Sequence, residues 1–171
     1  MQRLKLVLPG TQWRAQIADY KRKVVETDDT VGCGRLRKLE VDEWIAFCRD
    51  LRAGRNLPEA YVPATQYLAV RIKDNKLVGL IQIRHTLNAF LLEYCGHIGY
   101  SVAPEERGKG YATEMLGLAL KKCKTLGIGK VMVSCAEHNT ASARVIQKNG
   151  GVFENEVEYG GTVLQKYWFE V

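Results

Sequence analysis

The segment Arg107-Gly108-Lys109-Gly110-Tyr111-Ala112 carries the clearest chemistry in the sequence. Its two glycines let the backbone take unusual dihedrals and approach a ligand closely. An amphipathic stretch follows at once, with Met115, Leu116, Ala119, Leu120 and Cys123 at helical spacing. The first N–H groups of a helix have no partner within it, and they carry the positive end of its dipole. A pyrophosphate is a natural ligand for such a start, and Arg107 and Lys109 add charge. The spacing is neither G-x-x-x-x-G-K-S/T nor G-x-G-x-x-G, so a Walker loop and a Rossmann dinucleotide site are both disfavoured. A basic, glycine-rich cap on an ordinary helix would also produce this spacing.

Other residues of a reactive type are scattered. His97 has an unperturbed pKa suited to proton transfer near neutral pH, with a hydrogen bond inside a sheet as the plainer role. His85 and Asn88 close an apolar strand and suit either an acceptor pocket or a turn. Glu137 and His138 follow a strand, where active-site loops collect, or they cap the next helix. Tyr159 and Tyr167 could supply a phenol, with packing as the default. Glu26, Asp28 and Asp29 form an acidic patch that suits a cationic amine, or a solvated loop. The five cysteines, Cys33, Cys48, Cys95, Cys123 and Cys135, are odd in number and contain no C-x-x-C pair. A disulfide framework and a zinc site are both disfavoured, and no metal is expected.

These residues need elements to position them. Arg3 to Leu8 alternates like a strand and stops at Pro9-Gly10. Thr11 is a candidate N-cap for a helix over Trp13 to Glu26. A polar loop runs from Thr27 to Arg35, and Val41 to Ala53 has helical spacing. The period then changes to that of strands over Gln66 to Ile72, Lys76 to His85 and Gly96 to Val102. A loop from Pro104 to Gly110 leads into a helix over Tyr111 to Thr125, then a strand over Lys130 to Cys135. A helix over Asn139 to Lys148 stops at Asn149-Gly150-Gly151. Strands over Val152 to Val157 and Val163 to Phe169 flank Gly160-Gly161. The order is β-α-α-β-β-β-α-β-α-β-β, a mixed α/β layout.

Bulk properties agree with one domain over residues 1–171. The length suits a single core, and 46% hydrophobic with 26% charged residues is ordinary for a globular chain. No apolar run approaches the roughly 20 residues of a membrane span, and no secretory signal is visible. Net charge is +6. The basic residues are dispersed, and Lys21-Arg22-Lys23 reads as a solvated helix face. No recognition-helix or aromatic-basic strand pattern points to nucleic acid. A cytoplasmic protein with reduced thiols is expected.

The central segment resembles the GNAT family of N-acetyltransferases. The family motif is R/Q-x-x-G-x-G/A after a strand that ends V-x-P. Val102-Ala103-Pro104 and Arg107 to Ala112 fill every required position. Downstream, the family's N-x-x-S/A helix start is matched by Asn139-Thr140-Ala141-Ser142. The resemblance covers about Gln66 to Phe169. Arg84-His85-Thr86-Leu87-Asn88 and Gly96-His97-Ile98-Gly99-Tyr100 resemble segments of its poorly characterised predicted acetyltransferases.

The resemblance implies a central mixed, mostly antiparallel sheet flanked by helices and split at the fourth strand. It implies an acyltransferase that moves an acetyl group from acetyl-CoA to a primary amine, with a non-catalytic acyl-CoA sensor as the alternative. Tyr100, Ser101 and Val102 should pair through their backbone with the pantetheine arm. Arg107, Gly108, Lys109, Gly110, Tyr111 and Ala112 should hold the pyrophosphate. Asn139 and Ser142 should lie near the pantetheine and the outer end of the cofactor. The usual acid/base positions hold Gly96, Ser134 and Ile146, which leaves His97 as the candidate base. The expected partners are a small-molecule or peptide amine, neither nucleic acid nor membrane, with a homodimer left open.

Overall fold

Two antiparallel sheets form the framework, and helices pack on both faces of the larger one. This computed structural model describes residues 2–26 and 31–171. Asp28 and Asp29 therefore lie outside the described residues, and Glu26 ends the first helix in an exposed position. The first sheet has the order β1-β2-β3-β4, from Leu4–Val7, Ala64–Arg71, Lys76–Arg84 and Ile98–Val102. The second has the order β5-β7-β6, from Lys130–Ala136, Thr162–Glu170 and Val152–Tyr159. Every paired strand in both is antiparallel. The expected split at the fourth strand is present: β4 ends one sheet and β5 belongs to the other.

The central strands are buried on both faces, which explains their continuous apolar character. Leu68, Val70 and Leu80 pack with Ile17, Tyr20, Val24 and Trp44 of α1 (Arg14–Glu26) and α2 (Val41–Ala53). The alternate residues Tyr67, Ala69, Ile81 and Ile83 pack with α3 (Tyr111–Thr125). The period of two in a strand sends neighbours to opposite faces and so separates the two cores. Met115, Leu116, Ala119 and Cys123 are fully buried along one stripe of α3. Burying Met115 and Leu116 contributes about 1.5–3 kcal/mol each. The helix α4 (Thr140–Lys148) places Ile146 in the same core.

Three local features differ from the sequence expectations. Thr11 does not cap α1. Gly10 precedes a 3-10 turn over Thr11–Trp13, closed by Trp13 N donating to Gly10 O at 2.9 Å, and α1 continues from Arg14. Residues Leu91–Cys95 form a turn of π-helix, started by Asn88 Oδ1 accepting from Leu91 N. The third strand of the central group begins at Ile98 rather than Gly96, because Gly96 bridges to Val133 across the split.

Gly96 is required at that crossing. Its φ is +73°, and an added Cβ would stand 2.3 Å from Met132 O. His97 completes the junction. Its backbone N donates to Met132 O at 2.7 Å, and its Nδ1 accepts from Met132 N at 3.0 Å. Past this double contact, β4 pairs with β3 alone among the described strands. One edge of β4 is thus left facing the space between the sheets.

Candidate active site

A cleft of about 1170 Å³ opens where the sheets part. Of the residues expected to hold a cofactor, all but Lys109 line it. Gly108 and Gly110 sit at φ +75° and +79°, in the left-handed region where glycine carries no Cβ penalty. Gly110 is the residue before α3, so its conformation turns the loop into the helix and directs the first N–H groups at the cleft. The start of α3 is fixed from outside by the N-terminal strand. Glu114 accepts from Arg3 N at 2.6 Å, Leu4 N at 2.8 Å and Arg3 Nε at 3.0 Å.

A buried carboxylate holds the loop before α3. Glu106 is 3% exposed and accepts from Lys76 Nζ at 2.7 Å, Arg71 NH1 at 2.9 Å and Lys109 Nζ at 2.9 Å. Burial by itself would raise its pKa. The hydrogen bonds from Lys76 and Lys109 and the charges of Lys76 and Arg71 overcome that, and the carboxyl falls to about 2. Arg71 also donates to Tyr111 Oη at 3.2 Å, which ties the same network to the first residue of α3. The Lys109 ammonium is engaged here and by Glu105 O at 2.8 Å. Arg107 donates Nε to Val102 O at 3.1 Å, across the loop mouth.

On the opposite wall, Tyr100 and Ser142 meet. The phenol oxygen of Tyr100 lies 2.7 Å from Ser142 Oγ and so spans from β4 to α4. Burial pushes the Tyr100 phenol up to about 12, partly offset by the Ser142 bond, so it keeps its proton at neutral pH. Asn139 Oδ1 accepts from Ser142 N at 3.1 Å and caps α4, which fixes the serine in place. The Ser101 hydroxyl points elsewhere, to Tyr20 Oη at 2.9 Å and Cys33 Sγ at 3.3 Å.

The rest of the lining belongs to other elements. Gln82 and Arg84 come from β3, Gly32 and Gly34 from the loop before α2, and Tyr61 from the segment before β2. Gly32 packs so closely on β4 that an added Cβ would stand 2.5 Å from Gly99 O. Trp44 Nε1 donates to Cys33 O at 2.9 Å and Gln66 Nε2 to Gly32 O at 2.8 Å, which anchors this wall.

A family model described as "Acetyltransferase (GNAT) domain" matches residues 22–152. The chain belongs to the GNAT acetyltransferase family. It is therefore an acyltransferase by descent, and its similarity to solved GNAT structures extends over the whole fold. The ribosomal-protein-S5-alanine acetyltransferase from Vibrio fischeri has a TM-score of 0.75 at 17% identity, covering 99% of this chain and 94% of that one. RimL, a ribosomal L7/L12 α-N-protein acetyltransferase solved in complex with coenzyme A, has a TM-score of 0.73 at 17% identity, covering 100% and 96%. The microcin C7 self-immunity acetyltransferase MccE, solved with acetyl-CoA and AMP, has a TM-score of 0.70 at 14% identity, covering 100% and 94%. No curated protein matches the sequence.

Within this GNAT fold, the unusual acid/base positions have structural explanations. Gly96 admits no side chain at all, for the reason given above. Ser134 Oγ donates to Tyr94 O at 2.7 Å and holds the π-helical turn against β5. Ile146 is fully buried. His97 is 8% exposed and lies outside the cleft lining. Burial, and then the charge of Arg84, lowers its pKa to about 4. With Nδ1 accepting from Met132 N, the neutral ring carries its proton on Nε2 and has no lone pair left for an amine proton. His85 Nε2 lies 2.8 Å from Thr65 Oγ1, and Asn88 Nδ2 donates to Ala60 O at 3.0 Å, so both hold turns. Glu137 and His138 are exposed and stand outside the lining. Tyr159 packs with Tyr94 and Phe90, and Tyr167 Oη donates to Gln165 Oε1 at 2.9 Å. The Tyr100–Ser142 hydroxyl pair joins positions 42 apart in sequence, and only the tertiary structure reveals it.

No helix among the described residues is long and apolar enough to cross a membrane. No group of three or more His, Cys, Asp or Glu suited to a metal occurs among them.

Proposed function

We propose that the protein transfers an acetyl group from acetyl-CoA to a primary amine of a small-molecule or peptide acceptor. The observation that carries this reading is the left-handed Gly108 and Gly110 loop, which turns unpartnered helix N–H groups into a cleft beside an open strand edge. Phosphate oxygens suit those N–H groups and the helix dipole. The open edge of β4 at Tyr100 to Val102 suits an amide-containing arm, which adds to it as a further strand would. Bound acetyl-CoA supplies the activated thioester.

The balance of the reaction then sets the tasks for the chain. The amine nitrogen forms a bond to the carbonyl carbon, the carbon–sulfur bond breaks, the amine loses a proton, and the thiolate gains one. Ser142 and Tyr100 form the proton donor in this reading. Ser142 gives its proton to the thiolate and recovers one from the Tyr100 phenol, which solvent refills. Glu106 is held as a carboxylate by three cations, so water takes the proton from the amine. Positioning the two reactants in one cleft supplies the larger share of the acceleration.

Replacing Ser142 by Ala and Tyr100 by Phe tests the assignment. Each variant should lower kcat by about 10²-fold, the low end for general acid catalysis. KM for acetyl-CoA should stay within about threefold. Equal loss in affinity and no change in kcat would make the pair a cofactor contact instead.

A further inference from the structure

The cleft also holds a cation that no carboxylate of the described residues pairs with. Arg84 is the last residue of β3 and lines the cleft. Its NH1 donates to Gly96 O at 2.8 Å, and no carboxylate pairs with it among the described residues. The neighbours that act on its charge are Cys95, whose thiol burial pushes up, and Tyr61. Burial disfavours its charge, yet a guanidinium stays protonated in proteins. The side chain is half-buried, and its nitrogens without a partner are not sealed from solvent, so they stay open to a ligand. One carbonyl dipole satisfies one of its five N–H donors.

The described lining residues do not supply the missing charge. Glu106 is the one acid among the described lining residues, and Arg71, Lys76 and Lys109 already surround it. Among the described lining residues, a polycationic acceptor would meet no carboxylate left unpaired. The planar fork of a guanidinium matches the two oxygens of a carboxylate.

We propose that Arg84 binds a free carboxylate on the acceptor, which makes the acceptor a small amino acid-like amine rather than a polyamine. The proposal rests on the acetyl-transfer reading and adds the substrate class. Gln82, two residues earlier on the same strand face, lines the same wall and offers a neutral polar surface beside the anion.

The test uses the full chain saturated with coenzyme A. Binding of the proteinogenic amino acids and of their primary amides is measured by calorimetry, and acetylation of both sets is followed by CoA release in separate reactions supplied with acetyl-CoA in place of coenzyme A. At least one amino acid should bind at least about 10-fold more tightly than its amide, as expected for a charge-assisted contact in a desolvated wall. Arg84→Gln should reduce that preference to less than about threefold, with acetyl-CoA affinity unchanged. Arg84→Lys keeps the charge but loses the fork, and should retain part of the preference.

The unchanged acetyl-CoA affinity certifies that the variants are folded. If Arg84→Gln does not fold, the wild-type comparison of acid with amide and the Arg84→Lys result decide the matter. Equal binding of acids and amides by the wild type overturns the proposal, as does a preference that survives Arg84→Gln. A carboxylate preference without any acetylation would sink the acetyl-transfer reading and leave the Arg84 assignment standing. Acetylation of amides as fast as of acids would do the reverse.

Discussion

Two charged side chains are set into the walls of the same cleft, and they are treated in opposite ways. Glu106, near the start of α3, is met by three cations within 2.9 Å. Arg84, at the end of β3, is met by one backbone carbonyl. The first arrangement is complete within the chain. It ties β2, β3 and the loop before α3 into one support for the start of α3. The second is incomplete among the described residues, and the side chain lines the same cleft. A charge that the fold satisfies serves the framework, whereas one that it leaves short serves recognition.

The strongest way to break that contrast is to remove Glu106. Glu106→Gln keeps the shape and deletes the charge, leaving Arg71, Lys76 and Lys109 to repel one another. Losing one partner of a buried ion cluster should cost about 4 kcal/mol, read as a fall in the urea midpoint. The pH dependence follows from the sign of the shift. The folded carboxyl titrates at about 2, below its ordinary value of 4.5. Its contribution is therefore full above about pH 4.5 and lost as pH falls towards 2. The variant should lack that acid loss. A variant as stable as the wild type at pH 7 would show that the cluster does not hold the framework.

The next effect comes from His97, which links the acceptor end to the second sheet. Its folded pKa of about 4 lies below the ordinary 6.5, because it is buried and Arg84 stands nearby. Above pH 6.5 the ring is neutral in both states, so folding carries no penalty. As pH falls from 6.5 to 4, the unfolded chain binds a proton that the folded one refuses, and stability declines. A shift of this size corresponds to about 3 kcal/mol across that window. His97→Asn, whose amide oxygen can accept from Met132 N, should flatten the window while leaving stability at pH 8 nearly unchanged. Unfolding midpoints taken between pH 8 and pH 4 would show it, and an unchanged slope would place the acid-sensitive group elsewhere.

The sequence makes the two ends of the cleft unequally legible, for a physical reason. The cofactor end is built from contiguous residues. Val102 to Ala112 contains the strand end, the glycines and the helix start, and local rules of helix capping and glycine conformation suffice to read it. Its support does not follow from those rules. Glu106 takes cations from Arg71 and Lys76, which lie 35 and 30 positions earlier. The opposite end of the cleft is assembled from β3, the loop before α2 and the π-helical turn, so no short pattern announces it. Ala89 to Leu92 is too short an apolar run to distinguish strand from helix. His97 was legible as a neutral-pH titrating group by type alone. Its burial and its bond to Met132 N depend on a strand 35 residues away, and they remove the lone pair a base would need.

The smallest effect should come from Lys109, and it bears on the contrast most finely. By position, it belongs to the phosphate loop, yet its ammonium is committed to Glu106 and to the Glu105 carbonyl. The side chain is 49% exposed, so its pairing with Glu106 is partly screened by water. Lys109→Ala should cost less than about 1 kcal/mol of stability. It should change acetyl-CoA affinity by less than about threefold, because the proposed reading gives the phosphates to backbone N–H groups. A tenfold loss of affinity, with a shallower dependence on salt, would mean that the ammonium leaves Glu106 when the cofactor arrives. The framework charge would then double as a ligand charge, and the separation between the two ends of the cleft would hold only in the free protein.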